Sequence, residues 1–538
     1  MKVCDFYSKV LHEYGVECVF GVPGSFIMPI WQSISKNIGI KLTRHENGAV
    51  FMADGYSRGS GKLGIAITTV GPGVTNSITG IACAYQDSIP LLMLAGNGPV
   101  SGIRKGGFQN CDVRDRGFYS HDLLQKITKQ CFFPQTAQEA IRDLFEAIRL
   151  TNEGRKGPVH LSLPLDVQNF EISDNMIPSN NFQLLSTRKA IFSERIIEEI
   201  VKKRRIIFLC GWGTFLSDAG EILSQVSIKT NIPIVSTLKG VSACTTNNPL
   251  FWGVIGNVMH KGVRQRLKEY QADLIIALGT SLSENSCPDF EDIFGKPQII
   301  QVDIEKSKFD RYRHCEFHVE SSIKEFLNYL YSKTDLICKE KIVPIIVEEM
   351  GSDVNYFAKI VNKMNAMLPE NSVVIPDAGN HWLDVLYWYR TKNIKGLMTN
   401  AGLASMGHAI GAAIGMSCAM PEKIVVCVTG DGSFLMSGSE INVAVNYGIK
   451  VIYIVANNHS LGRVRCGQIN MDGGIVSSSI ENVSIELCAK GLGADAYSCT
   501  SLDQFVEALE KSIRSNNTSV IEVIIDDDDC PVILQTSR

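Results

Sequence analysis

Asp431, Asn458 and Ser460 are the residues whose types and spacing point most directly to chemistry. The apolar run KIVVCVTG (423–430) leads into Gly430-Asp431-Gly432-Ser433, and a second run, KVIYIVA, ends at Asn457-Asn458. The segment between them, FLMSGSEINVAVNYG, has the character of a helix. The interval therefore reads as one strand–helix–strand crossover, which sets the carboxyl ends of two parallel strands side by side. There Asp431 offers a hard anionic oxygen, Asn458 a neutral amide oxygen and Ser460 a backbone carbonyl. Such a set suits Mg²⁺ and leaves positions for phosphate oxygens to complete an octahedron. Gly432 lets the backbone approach a phosphate, and the helix opening around Ser433 aims free N–H groups at it. A lone Gly-Asp-Gly occurs in many ordinary turns. The flanking strands and the Asn-Asn pair make this one a candidate site.

These side chains need a scaffold, and the rest of the chain supplies its pattern. GIAITTV (64–70), PLLMLAG (90–96), RIIFLC (205–210), DLIIALG (273–279) and QIIQVDI (298–304) are near-continuous apolar runs with helix-period segments between them. Parallel strands covered on both faces read this way. The predicted fold class is α/β, with doubly wound domains and mainly parallel sheets in place of a single barrel. A length of 538 residues accommodates about three domains. Polar or mixed-charge stretches at 171–190 and 333–352 read as linkers, giving units 1–170, 191–332 and 353–538. Apolar residues make up 45% of the chain, which excludes a mainly disordered protein. A net charge of −4 supplies no broad electropositive surface, so nucleic acid is not an expected partner. No run of about 20 apolar residues suggests a membrane partner, and the charged N-terminus is unlike a signal peptide. None of the 16 cysteines lies within three positions of another, which excludes a Cys-x-x-Cys zinc or redox site. They read as small buried hydrophobes of a cytoplasmic protein. Asp526–Asp529 reads as a solvated loop.

The Gly-Asp-Gly…Asn-Asn pattern is the motif of thiamine-diphosphate enzymes, and the first unit carries the same likeness. Residues 43–97, from TRHENGAVFMADGYSRG to SIPLLMLAGN, closely resemble the pyrimidine-binding domain of the acetolactate synthase branch. The three units then correspond to pyrimidine-binding, central and diphosphate-binding domains. Glu46 matches the glutamate that hydrogen-bonds the aminopyrimidine ring. Protonating that ring lets its exocyclic amine remove the C2 proton of the thiazolium. His45-Glu46 does not open a metalloprotease motif, because Ala49 stands where the second histidine is needed. Gly71-Pro72-Gly73 is not a dinucleotide loop, because Asn76 stands where that fingerprint needs glycine; the resemblance implies a cofactor-contacting turn and includes Asn76 in it. Phe108-Gln109 match a pair lining the substrate channel, with Gln109 orienting substrate. In DAGNHW (377–382), Asn380 and His381 fall where the family contacts the diphosphate. In NAGLASMGHAIGAAIG (400–415), Met406 falls at the apolar residue that bends the cofactor. The resemblance thus implies thiamine diphosphate and Mg²⁺. It leaves FAD open at the central unit's Gly211-Trp212-Gly213, since acetolactate synthases bind FAD there in a non-redox role and other relatives do not.

The activity implied is carboligation. A 2-oxo acid, with pyruvate as the expected donor, loses carbon dioxide, and its two-carbon unit passes to a second carbonyl. Two departures bear on that acceptor. Acetolactate synthases usually place a tryptophan at the position of Gly467 and an apolar residue at Arg463, so this chain has more room and, with Arg465, two more cations. The family's arginine after the central strand is replaced by GTSLSENS (279–286). A nucleotide-linked keto sugar is the alternative acceptor. Simple decarboxylation, with His121 over the reacting carbon, is a second alternative, and a non-catalytic binding homologue is a third. In this family the cofactor lies between two chains, which implies a homodimer or homotetramer.

Overall fold

The computed structural model describes residues 1–102, 105, 108–109, 120–177, 192–342, 350–351, 354–469, 471, 474–526 and 531. Three sheets carry the chain, and every paired strand in them is parallel. The first contains β1 (Cys18–Gly21), β2 (Gly39–Leu42), β3 (Gly64–Thr68), β4 (Leu91–Asn97), β5 (Cys131–Phe132) and β6 (Pro158–Pro164), in the order β2-β1-β3-β4-β6-β5. The second contains β7 (Ile206–Cys210), β8 (Ile234–Ser236), β9 (Phe251–Val254), β10 (Leu274–Leu278), β11 (Gln298–Asp303) and β12 (Phe317–Glu320), in the order β12-β11-β10-β7-β8-β9. The third contains β13 (Ser372–Pro376), β14 (Ile424–Gly430), β15 (Ile452–Asn457), β16 (Asp495–Cys499) and β17 (Ser519–Ile524), in the order β13-β14-β15-β17-β16. The apolar runs of the sequence become the central strands, buried along their length because helices cover both faces. The α/β class predicted from those runs is the observed one. Within the expected linkers, residues 178–190 and 343–349 lie outside the described residues. Among the described residues no helix is long and apolar enough to cross a membrane.

The first and third units meet through two helices. One spans Glu46–Ser60, starts at His45 and stops at Gly61, whose φ of +73° is the left-handed conformation that ends a helix. The other spans His408–Ala419 and is apolar on nearly every side. Glycines let their backbones touch: a Cβ on Gly415 would lie 1.8 Å from the Met52 carbonyl oxygen, and one on Gly55 would lie 2.0 Å from that of Ala412. This contact fixes the start of the first helix, and therefore Glu46, relative to the third unit.

A buried ion network joins all three units. The Arg58 guanidinium pairs with Asp54 (2.5 Å) and Asp87 (2.8 Å) and donates to the Thr399 carbonyl. Lys239 Nζ reaches Asp87 at 2.8 Å, and Trp212 Nε1 donates to the Asp87 carbonyl at 2.6 Å. His408 Nε2 completes the set at 2.9 Å from Asp54. Burial pushes the Asp54 carboxyl up, but Arg58 and His408 outweigh it and hold its pKa at about 2. Removing one charge strands the others in a dry interior. Asp87→Asn is therefore expected to cost about 3–5 kcal/mol. Chemical denaturation checks this, and a cost below about 1 kcal/mol would mean that the network is wet or dispensable.

Candidate functional site

The ends of β14 and β15 lie side by side, with Gly430 opposite Ala456 in register. Asp431 follows β14 directly and opens a helix spanning Asp431–Ser437. The single long helix expected after the turn is instead broken: a short 3₁₀ turn at Gly438–Glu440 precedes a second helix, Ile441–Asn446. A Cβ on Gly438 would lie 3.2 Å from the Phe434 ring, so the chain bends where the side chain is smallest. Asp431 is buried, and its two oxygens accept N–H bonds from Gly432 (2.9 Å) and Ser460 (3.0 Å). Burial nevertheless raises its pKa to about 6, because those two bonds recover only part of the lost hydration. Asn458 and Ser460 are also buried, and the Ser460 carbonyl accepts the Gly462 N–H at 2.8 Å, which leaves it a second lone pair. A Cβ on Gly462 would lie 2.6 Å from Asn458 Nδ2, so glycine is what admits the amide. Among the described residues no group of three His, Cys, Asp or Glu side chains gathers. A cation at this turn has one carboxylate and otherwise neutral oxygens, which suits Mg²⁺ better than zinc.

The walls of the turn contain polar atoms without partners. The helix Asn380–Trp388 starts at the carboxyl end of β13. Asn380 Oδ1, His381 Nε2, Ser460 Oγ and Ser478 Oγ are all buried and unbonded among the described residues. His381 lies against Gly430, its Cε1 3.0 Å from where a Cβ would be. Burial lowers its pKa to about 4, so it is neutral at pH 7; the ring bonds to the Asp377 backbone and Nε2 is left unbonded among the described residues. Asn380 Nδ2 contacts Cys466 Sγ at 3.3 Å. The unbonded hydroxyls of Ser460 and Ser478 near one buried carboxylate fit a phosphate-bearing ligand that brings its own acceptors and a divalent cation. Gly432 and Ser433 are buried at the same turn. Met406 is half-buried, with its Cε 3.2 Å from the Cβ position of Gly432.

The sequence reading missed the residue that fixes Met406. Asp377, fully buried at the end of β13, accepts the Gly407 N–H at 2.7 Å and the Thr429 hydroxyl at 3.2 Å. Gly407 has φ +81°, and a Cβ there would lie 2.2 Å from Ser437 Oγ, so the turn after Met406 accepts only glycine. Burial pushes the Asp377 carboxyl up. A carboxylate that directly follows the apolar run SVVIP was the available signal.

Glu46 and Asn76, read separately from the sequence, come together: Asn76 Nδ2 donates to Glu46 Oε2 at 2.9 Å. The Gly71 turn lies beside them, with φ +64° and a Cβ position 2.8 Å from the Gln109 carbonyl. Gln109 itself has φ +58°, and Phe108 is 79% exposed. A second missed acid lies behind Glu46. Glu440 accepts the backbone N–H groups of Arg44 (3.1 Å) and His45 (2.8 Å), and burial raises its pKa to about 7. It ties the segment that carries Asp431 to the residue before Glu46. No hydrogen bond or ion pair among the described residues joins Glu46 to Asp431, Asn458 or Ser460.

Arg463 and Arg465 lie on the helix Gly462–Gln468; Arg463 is exposed and Arg465 half-buried. A Cβ on Gly467 would meet nothing within 4 Å among the described residues. The side chain of His121 and residues Asp527–Asp529 lie outside the described residues.

With this geometry in view, three stretches match profiles of one family. Residues 1–115 match "Thiamine pyrophosphate enzyme, N-terminal TPP binding domain", residues 193–330 its central domain, and residues 377–523 its C-terminal TPP binding domain. Curated relatives include the "Acetolactate synthase large subunit" of Lactococcus lactis subsp. lactis (strain IL1403), 30% identical over 537 residues, which span 96% of this chain and 91% of that one. The protein of the same name from Haemophilus influenzae is 28% identical over 97% of this chain and 94% of its own. The "Acetolactate synthase isozyme 2 large subunit" of Escherichia coli (strain K12) is 27% identical over 98% and 96%.

Proposed function

The chain belongs to the thiamine pyrophosphate enzymes, and from that premise we propose that it is a Mg²⁺-dependent carboligase acting on a 2-oxo acid, with pyruvate as donor. One observation carries the reading: a buried carboxylate, Asp431, sits near unbonded buried polar atoms of Asn380, His381 and Ser460 at the carboxyl ends of β13, β14 and β15. In this reading Asp431, Asn458 and the Ser460 carbonyl hold the metal. Asn380, His381, Gly432 and Ser433 receive the diphosphate, and Met406 supports the ring system. When bound, thiamine diphosphate supplies the nucleophilic carbon and the electron sink that decarboxylation requires. Glu46, oriented by Asn76, holds and returns one proton at its carboxyl oxygen, and Gln109 orients the substrate. In the family that the chain resembles the cofactor lies between two chains, which favours a homodimer or homotetramer in which a second chain completes the site. Apolar side chains exposed near that turn, Leu435 and Met436 on its helix and Leu403 before Met406, favour the same assembly. Buried thiols such as Cys210 and Cys427 suit a reducing cytoplasm.

FAD stays open in this reading. At the carboxyl ends of β7 and β10 the Gly213 N–H is spent on the Gly279 carbonyl, and a Cβ on Gly211 would lie 2.3 Å from that same oxygen. Lys239, Lys308 and Arg313 already pair with carboxylates. Ser236 Oγ, at the end of β8, and Arg313 Nε are unbonded among the described residues.

Open space at Gly467 and an exposed Arg463 that pairs with no carboxylate among the described residues favour an acceptor larger than pyruvate and anionic. Mass spectrometry of products from pyruvate offered with 2-oxo acids, aldehydes and nucleotide keto sugars tests the reading. Acyloin products support it, and acetaldehyde alone would replace it with decarboxylation. Gly467→Trp is expected to lower kcat/KM for a large acceptor by at least about tenfold, the discrimination a filled pocket gives. Its thermal stability should stay near that of the parent, because Gly467 is exposed and no described residue occupies the space.

A further inference from the structure

The two asparagines at the end of β15 have different surroundings. Asn458 faces the metal turn, but Asn457 is turned back into the sheet and buried. Its Nδ2 donates to Glu522 Oε1 at 2.7 Å, and its Oδ1 accepts the His459 N–H at 3.0 Å. Glu522 lies on β17, beside β15, and is buried in an otherwise apolar strand. Its carboxylate also receives the Ile485 N–H at 3.4 Å and the Glu486 N–H at 3.3 Å, at the start of the helix Ile485–Gly491. A carboxylate in such a place is costly unless its bonds are spent on something.

What they are spent on is the loop 458–460. His459 has φ +52°, a conformation that non-glycine residues adopt at a cost and keep only where neighbours enforce it. Two side chains do the enforcing. Asp431 holds the N–H of Ser460, and Asn457 holds the N–H of His459. Asn457 can do so only while its amide is oriented, and the Glu522 carboxylate sets that orientation by accepting from Nδ2 alone.

We propose that Glu522 is a positioning residue for the divalent-cation site, acting through Asn457 to hold the loop that presents Asn458 and the Ser460 carbonyl to the metal. The inference rests on the reading of Asp431, Asn458 and Ser460 as the cation site. Neither Glu522 nor Asn457 touches the metal. Their role is to keep a strained loop in its binding shape before the ion arrives, so that no binding energy goes into ordering it.

The test exploits one acceptor oxygen. Glu522→Leu removes the acceptor of the Asn457 amide, whereas Glu522→Gln keeps it, because glutamine can present its carbonyl oxygen to Asn457 Nδ2. Full-length protein is titrated with Mn²⁺ at fixed thiamine diphosphate, and free Mn²⁺ is read from its electron paramagnetic resonance signal. Glu522→Leu is expected to weaken Mn²⁺ binding by about tenfold, the scale of one buried hydrogen bond to a charged group. Glu522→Gln should stay within about twofold of the parent. Saturating metal should restore kcat in Glu522→Leu, which general unfolding would not allow. The proposal fails if Glu522→Leu binds as the parent does, or if Glu522→Gln binds no better than Glu522→Leu. If the parent itself takes up no Mn²⁺, the cation-site reading fails first, and that outcome is distinct from both.

Discussion

Glu46→Gln lowers kcat for pyruvate consumption by about 10²–10⁴, the range of a lost general acid–base, and leaves coenzyme and metal affinity within a few-fold of the parent. The substitution is close to a pure test of proton capacity. Glu46 Oε2 accepts a bond from Asn76 at 2.9 Å, and glutamine can keep that bond by presenting its carbonyl oxygen. The helix start is held independently, by the His45 side chain capping Asn47 and by Glu440 gripping the N–H groups of Arg44 and His45. Shape, packing and the Asn76 contact therefore survive, while the ability to give and take a proton does not. Steady-state kinetics beside coenzyme titration separate the two effects. A variant that turns over at more than about a tenth of the parental rate would remove Glu46 from the chemistry, whatever its place in the family pattern.

The fold was legible in the sequence where burial leaves a simple mark. IVVCV, IIFLC and LIIAL are apolar on both faces because helices cover both, and they became β14, β7 and β10. The short strands were harder: β5 has two residues and β8 three, too few for a period to register. In the candidate site, the residues carried by a turn or an end of strand could be named, and Glu46 and Asn76 proved to be partners. Asp377, Glu440 and Glu522 could not be named, because a supporting carboxylate has no spacing rule of its own. Its partners are backbone N–H groups supplied by distant loops: Gly407 for Asp377, Arg44 and His45 for Glu440, Ile485 and Glu486 for Glu522. The one local signal is an acid placed inside or directly after an apolar strand, as in SVIEVI, where burial demands a partner that the sequence alone does not identify.

Metal affinity should fall by about tenfold for each pH unit below 6 and level off above it, because proton and cation compete for the same carboxylate. Asp431 sets that point. Burial raises its pKa to about 6 in the folded protein, against the ordinary 3.8 of an aspartate. The folded state therefore binds the proton more tightly than the unfolded chain does. Without metal, stability declines as pH rises from about 4 to 6, and above 6 the full cost of a buried charge is present. That cost is of order 1–3 kcal/mol. Asp431→Asn removes it at the loss of one of the two acceptor oxygens that hold the Gly432 and Ser460 N–H groups, so the metal-free variant should melt a few degrees higher than the parent at pH 7.5. With saturating Mg²⁺ and thiamine diphosphate the order should reverse. The parent gains stability from binding, while the variant, weakened about 10²–10³-fold in metal affinity by loss of its single anionic ligand, gains little. Melting curves with and without ligand, and Mg²⁺ titrations at pH 5, 6 and 7.5, give both readings. If the melting order stays the same with and without ligand, or the parent's affinity is flat across those pH values, Asp431 is not the metal's anchor. The stability gained by the metal-free variant would then reflect only a charge buried for packing.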